Sequence, residues 1–255
     1  MSEMLTTDVV IVGAGAAGLR AAVEARTKGI NVLVVSKFPK DGISCSVRAG
    51  GELTYSTKRT EAELFRQVVE TGGYLSNQSL VEVFVKEVPE RIKELADFGI
   101  ETEFWGDTSN DTLGIIRVST KGPNSGYGLV RPLRQVAESK GVVFLDNTMV
   151  VELLTADKEV IGCVAINLDN AQLLPISAKS VVLATGGGAG IYEHTDNPPG
   201  TTGDGIALAL QAGAEIVDIE CVNFQFPQDK VQSLLSLKEV PDESMLKVGA
   251  GHYFL

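Results

Sequence analysis

The sequence predicts an α/β fold with a parallel sheet, and three observations carry that reading. Residues 8–13 (DVVIVG) are a short, apolar, β-branched run that ends in glycine. Residues 16–28 are alanine-rich and amphipathic and stop at Gly29. Residues 31–35 (NVLVV) form a second apolar run, reached after that single helix. Strands joined by a helical crossover pair in parallel, with a right-handed connection, so residues 8–35 make one βαβ unit.

The remaining elements follow in order. Residues 40–56 turn to Gly, Ser, Cys and Arg without hydrophobic periodicity, as a ligand-binding loop does. Helical periodicity returns at 61–71, 79–98 and 129–140, and Pro89 marks a point where the second of these kinks or splits. Residues 106–128, rich in Gly, Ser, Thr, Asn and Asp, read as a surface excursion that could also lie over a site. Residues 142–145 predict a strand rejoining the main sheet, and residues 149–154, 160–168 and 173–176 an antiparallel meander inserted at about 148–178. A further buried strand is expected at 180–183, then a helix at 205–212 leading to a strand at 215–219. After Val222 no complete element is legible, and the chain ends on apolar Phe254 and Leu255. The expectation is a first domain over 1–227 and the start of a truncated capping domain over 228–255, in a fragment or one half of a split protein.

Composition narrows the class. With 255 residues, 44% apolar and 22% charged, the chain is globular and neither disordered nor fibrous. Its formal net charge of −11 means that a phosphate-bearing ligand must be held by backbone dipoles or a few local cations, and nucleic acid is not an expected partner. Cys45, Cys163 and Cys221 are odd in number and widely spaced, with no CxxC or Cys/His cluster, which disfavours a disulfide framework and a metal site. No run of about 18 apolar residues occurs and MSEMLTTD passes straight into a strand, so no transmembrane segment or leader is read and a reducing, cytoplasmic setting is expected.

The chemistry-bearing motif sits at the first turn. Gly13, Ala14, Gly15, Ala16, Ala17 and Gly18 spell GxGxxG after a strand and at the opening of a helix, the dinucleotide-binding context of a Rossmann-type domain. Gly13 makes the tight turn, Gly15 lets backbone approach a diphosphate, and Gly18 lets helix pack on strand. The diphosphate would rest on the helix N-terminus. The ribose-binding position about 20 residues on holds Ser36 followed by Lys37. A hydroxyl there suits FAD or NAD, while Ser plus Lys also suits the 2′-phosphate of NADP. The choice comes from downstream, where Ala184, Thr185, Gly186 and Gly187 follow a strand and Asp204 opens a second helix. A ligand that spans the sheet needs such a pair, with Asp204 placed to accept from a ribityl hydroxyl, and FAD is therefore the expected cofactor.

The segments GAGAAGLRAA, SKFPKDGISCSVRAGG, ATGGGAGIYEHTDNPPGTTGDGIALALQAGAE and DIECVNFQF carry a family resemblance. Over most of residues 6–226 the chain resembles the N-terminal half of the succinate dehydrogenase/fumarate reductase flavoprotein family, which includes L-aspartate oxidase. The resemblance implies a flavin near the loop containing Ser44, Cys45, Ser46, Gly50 and Gly51, and an adenine contact near Val150. It also implies Ala184 to Gly187 lining the site and Asp204 on the ribityl chain. In membrane-bound members a histidine of that loop bonds covalently to FAD. Counted back from Gly50 and Gly51, Ser44 stands there, so FAD is expected to be non-covalent. The family's EFxQFHPT reads here as Cys221, Val222, Asn223, Phe224, Gln225, Phe226 and Pro227, with proline for the substrate histidine, and its RGEGG is loosely matched by residues 247–251. No catalytic residue is assigned.

The function implied is hydride transfer through flavin N5 to or from a small-molecule substrate, a dicarboxylate in the family. Two alternatives are an electron-transfer subunit passing electrons to an iron–sulfur or second-half protein partner, and an NADP-binding module suggested by Ser36 and Lys37. Cys45 could form a thiol–flavin adduct or react with a disulfide substrate, against the simpler expectation of a small residue packed in a loop. Cys163 and Cys221 are expected in the core, His194 and His252 as surface or structural residues, and the acids from Glu82 to Glu103 as a solvated helix face. Arg48 and Arg117 could offer a cation to an anionic substrate or to reduced flavin, against the simpler expectation of solvated or structural arginine.

Overall fold

A computed structural model describes residues 4–48, 52–54, 60–105, 115–118 and 125–222. Strand β1 (Leu5–Val12), helix α1 (Ala16–Thr27) and strand β2 (Val32–Val35) form the predicted βαβ unit, with Val10 aligned on Leu33 in parallel register. The main sheet has six strands in the order β6-β2-β1-β9-β8-β7. Strand β6 (Val143–Leu145) joins β2 in parallel, as expected. Strands β7 (Thr148–Ala156), β8 (Glu159–Asn167) and β9 (Leu173–Leu183) are the antiparallel meander.

The meander is not a separate layer. The two strands expected at 173–176 and 180–183 are one eleven-residue strand, whose residues 173–177 pair antiparallel with β8 while residues 176–183 run parallel to β1. Ser177, Ala178 and Lys179 between them include no Gly, Asn or Pro that would turn the chain.

Alternation along β1 sends Val10 and Val12 to one face and Ile11 to the other, and all three are buried. On the first face they pack with Leu33, Val35, Cys163, Ile176 and, from helix α6 (Asp204–Gln211), Leu208. On the second face Ile11 and Val34 pack against Ala22 and Val23 of α1 and Ala137 of helix α5 (Tyr127–Ser139). Central parallel strands covered on both faces read as continuous apolar runs, as residues 9–12 and 32–35 do.

The helix expected at 61–71 is α3 (Glu61–Thr71), started by a capping box between Thr60 and Glu63. Helix α4 (Gln78–Asp97) is capped by Asn77 and passes through Pro89 without splitting. Proline there removes the hydrogen bond to the Val85 carbonyl, and the helix is held instead by Val81 and Val85 packing on Leu64 and Val69 of α3. A small antiparallel sheet, β3 (Glu52–Thr54), β5 (Ile115–Val118) and β4 (Thr102–Trp105), was not legible in the sequence. Its strands flank the loop and excursion segments, whose remaining residues 49–51, 55–59, 106–114 and 119–124 lie outside those described.

Two expectations are corrected. Residues 215–219 form no strand: Val217 and Ile219 are exposed, and Asp218 takes a φ of +58° that breaks extended backbone. Cys221 is exposed rather than in the core, because no strand carries it inward. The expected capping segment 228–255, with Pro227, residues 247–251, His252, Phe254 and Leu255, lies outside the described residues.

Truncating Ile11, which is fully buried beneath α1, to alanine is expected to lower stability by about 3 kcal/mol. Leu80→Ala, on an exposed position of α4, should change it by about 0.5 kcal/mol or less. Urea unfolding followed by circular dichroism checks both.

Candidate functional site: a cleft at the carboxyl ends of the parallel strands

The glycine turn after β1 is wedged between its two neighbouring strands. The Gly13 amide donates to the Val35 carbonyl at 2.8 Å, and the Ala184 amide, just past β9, donates to Val12 at 2.8 Å. Gly13 has φ +111°, and a Cβ on it would stand 2.3 Å from the Ala184 carbonyl oxygen. A Cβ on Gly18 would stand 2.0 Å from the Gly13 carbonyl oxygen, so α1 starts hard against the turn only because both residues are glycine. The α1 N-cap is Gly15, which has no capping side chain. Among the described residues the Gly15 and Ala17 amides meet no acceptor, while the Ala16 amide donates to Ser46 Oγ at 3.1 Å.

These amides open on a cavity of about 290 Å³ at the carboxyl ends of β1, β2 and β9, where open α/β sheets bind ligands. Of the residues expected from the first motif, Gly13, Ala14, Gly15 and Ala17 line it, while Ala16 and Gly18 lie behind it. Ser36 and Lys37 line it after β2, and Val150 on β7. Ser44, Cys45 and Ser46 line it from the loop and the short helix α2 (Cys45–Arg48). Ala184, Thr185, Gly186 and Asp204 line it, and Gly187 does not. Gly50 and Gly51 lie outside the described residues, and nothing is described of the Arg117 side chain. Arg48 is exposed and away from the cleft, and His194 is exposed.

Lys37 and Asp204 meet across the cleft. The Lys37 ammonium donates to the Asp204 carboxylate and, at 3.1 Å, to Thr202 Oγ1, which itself donates to Asp204 at 2.8 Å. Partial burial pushes the Asp204 pKa up, but the hydrogen bonds from Lys37 and Thr202 and the Lys37 charge outweigh it and hold the carboxyl below its ordinary value. Ser36 is 5% exposed and its hydroxyl donates to the Phe38 carbonyl at 3.0 Å. With Ser36 and Lys37 both engaged, the 2′-phosphate reading of this pair loses its free cation.

Sequence reasoning missed the wall contributed by Thr148, Met149 and Arg134. The Thr148 amide donates to the Ser36 carbonyl at 2.8 Å, which folds the start of β7 over the cleft. Arg134, 7% exposed, reaches both oxygens of Asp146 at 3.0 and 2.8 Å and Glu138 at 2.8 Å, and lies 3.4 Å from the Phe144 ring centroid. An arginine beside Leu133 and Ala137 on the buried face of α5 is the signal that a paired internal cation was present.

Cys45 Sγ donates to Asn197 Oδ1 at 3.1 Å and lies 3.5 Å from Thr201 Oγ1. Cys163 is in the core as expected, where burial pushes its thiol pKa up to about 11 and leaves it inert. Among the described residues no group of His, Cys, Asp or Glu is set to hold a metal ion, and no helix is long and apolar enough to cross a membrane.

Residues 8–228 match the model of a family described as FAD binding domain. The chain belongs to this family. It is 31% identical over 226 residues to an uncharacterized FAD-dependent oxidoreductase of Methanocaldococcus jannaschii, covering 86% of this chain and 42% of the relative. It is 32% identical over 235 residues to the succinate dehydrogenase flavoprotein subunit of Rickettsia bellii, covering 85% and 39%. Among solved structures, E. coli quinol fumarate reductase superposes with a TM-score of 0.70 at 27% identity, over 82% of this chain and 37% of that one. The chain thus spans about two fifths of the length of these relatives, and the succinate dehydrogenase/fumarate reductase flavoprotein resemblance is borne out for their N-terminal part.

The residues present fit FAD. The glycine turn leaves the Gly15 and Ala17 amides without an acceptor among the described residues, and Ser44 Oγ is buried in the same cleft, likewise without a hydrogen-bond partner among them.

Because Asp204 has a lowered pKa in the fold, its contribution is complete above its ordinary value of 3.8 and is lost as pH falls through the lowered one. Wild-type protein should therefore be more stable to urea than Asp204→Asn at about pH 7, with the gap closing as the solution is acidified below that ordinary value. Gly18→Ala, which drives a Cβ into the Gly13 carbonyl, should cost about 1–3 kcal/mol in the same measurement.

Proposed function

We propose that this chain is the FAD-holding part of an FAD-dependent oxidoreductase of the succinate dehydrogenase/fumarate reductase flavoprotein type, with FAD bound non-covalently. The observation that carries the proposal is the pair of amides at the α1 N-terminus, Gly15 and Ala17, that meet no acceptor among the described residues and open on a cleft in a chain of the FAD binding domain family. Bound there, FAD supplies hydride exchange at flavin N5 between a substrate and a second acceptor.

The chain's own residues bind and orient. The Gly15 and Ala17 amides, at the positive end of the α1 dipole, would take the diphosphate without a basic field. Met149 and Val150 would give the adenine an apolar wall, and Asp204, with lone pairs left beyond Lys37 and Thr202, would accept from a ribityl hydroxyl. Ser44, Cys45 and Ser46 would flank the flavin. Ser44 offers no imidazole nitrogen for a covalent bond.

A small dicarboxylate is the proposed substrate class, by analogy with relatives named for succinate and fumarate, and an iron–sulfur protein is the proposed partner that the family resemblance implies. The unpaired cysteines support a reducing, cytoplasmic compartment. A subunit without substrate chemistry of its own is not favoured, because the relatives are themselves named as oxidoreductases and dehydrogenases.

Purified protein reconstituted with FAD should show flavin absorption, and acid precipitation should release the colour to the supernatant. Colour retained in the pellet would refute non-covalent attachment, and failure to take up FAD would refute the proposal.

A further inference from the structure

Two of the stretches that line the cleft, thirty residues apart in the chain, meet at one side chain. Helix α1 lacks a cap of its own, because Gly15 stands at the N-cap, and helices that start on glycine leave their first amides to water, ligands or another segment. Here the other segment is α2. Ser46 Oγ accepts from the Ala16 amide at 3.1 Å, and a Cβ on Gly15 would meet only that oxygen, at 3.2 Å.

The loop that carries Ser46 is held from its other side by the start of α5. The Gly126 amide donates to the Val47 carbonyl at 3.1 Å, and a Cβ on Gly126 would stand 2.0 Å from the Ser46 carbonyl oxygen. Tyr127 donates its hydroxyl to the Asp41 carbonyl at 2.8 Å, and Arg131 reaches the Asp41 carboxylate at 3.3 Å. Segment 41–48 is thus clamped between α5 and the glycine turn, and the Ser46 hydroxyl is its hydrogen bond to that turn among the described residues.

We propose that Ser46 is a positioning residue that caps α1 from outside the helix and thereby couples the diphosphate turn to the loop that flanks the flavin. This rests on the FAD reading above. The hydroxyl withdraws one first-turn amide from the anion and in return fixes Ser44 and Cys45 relative to that turn. A ligand that reaches only the turn gains nothing from the link, whereas one that reaches both the turn and the loop gains the preorganisation.

The test compares ADP with FAD on wild type, Ser46→Ala and Ser46→Thr, by titration calorimetry, with amide hydrogen exchange on the apo-proteins. In Ser46→Ala the ratio of FAD to ADP affinity should fall about fivefold, the effect of one neutral hydrogen bond. ADP affinity should hold or rise as the Ala16 amide is freed, and exchange at Ala16 should quicken. Ser46→Thr, which keeps the hydroxyl, should restore the ratio. A parallel fall of both affinities with the ratio unchanged would mark Ser46 as merely structural and overturn the proposal, as would a threonine variant as impaired as alanine. Wild-type protein that binds ADP but not FAD would overturn the FAD reading itself, and this inference with it.

Discussion

The rest of the structure depends on how closely the turn after β1 is pressed between the ends of β2 and β9. The Ala184 carbonyl oxygen lies 2.3 Å from where a Gly13 Cβ would be, and the Gly13 carbonyl oxygen lies 2.0 Å from where a Gly18 Cβ would be. Backbone therefore packs on backbone at the one place where helix, turn and two strands converge. Leu19 and Ala22 are then drawn fully into the core, and the first amides of α1 are aimed at the mouth of the sheet. Any side chain at either glycine would push the helix outward and separate the cleft from the strands that define it.

That geometry also explains how an acidic chain holds an anion. With a formal net charge of −11 there is no basic field to concentrate phosphate, and the cation that lines the cleft at Lys37 is bound to Asp204. Arg134 and Lys40, the other cations among the described lining residues, are paired as well, Arg134 with Asp146 and Glu138 and Lys40 with Glu138. What remains for the anion is oriented backbone, which carries partial positive charge at no cost in side-chain entropy.

The βαβ start, the glycine turn, α3 and the strand expected at 142–145 were legible in the sequence because each rests on a local signal: apolar runs, glycine at a forced turn, or helical periodicity. The cross-cleft partners were not. Lys37 and Asp204 lie 167 residues apart and Ser46 and Ala16 thirty, and no local periodicity links them. Reading residues 215–219 as a strand failed for the opposite reason. The run is apolar enough for one, but a strand also needs a neighbour to pair with, and Asp218 is bent to a positive φ instead. The small sheet of β3, β5 and β4 escaped because Gly- and Ser-rich flanks concealed runs of three or four residues.

The continuity of β9 gives the meander a part in the site. One end of that strand pairs with β8 and, through it, places β7, whose Val150 lines the cleft; the other end delivers Ala184, Thr185 and Gly186 to the glycine turn. Had residues 173–176 and 180–183 been separate strands with a turn between them, the wall at Val150 and the floor at Ala184 could shift independently. A single eleven-residue strand buried at Ile176 and Ala178 removes that freedom. Hydrogen bonds from Thr148 to Ser36 and from Asn147 to Phe38 close the same circuit from the opposite edge. The ligand-facing ends of β2, β7 and β9 are therefore fixed relative to one another, and segment 41–48 is fastened to the glycine turn at the Ser46 hydroxyl, to Asn197 at Cys45 and to α5 at Asp41 and Val47.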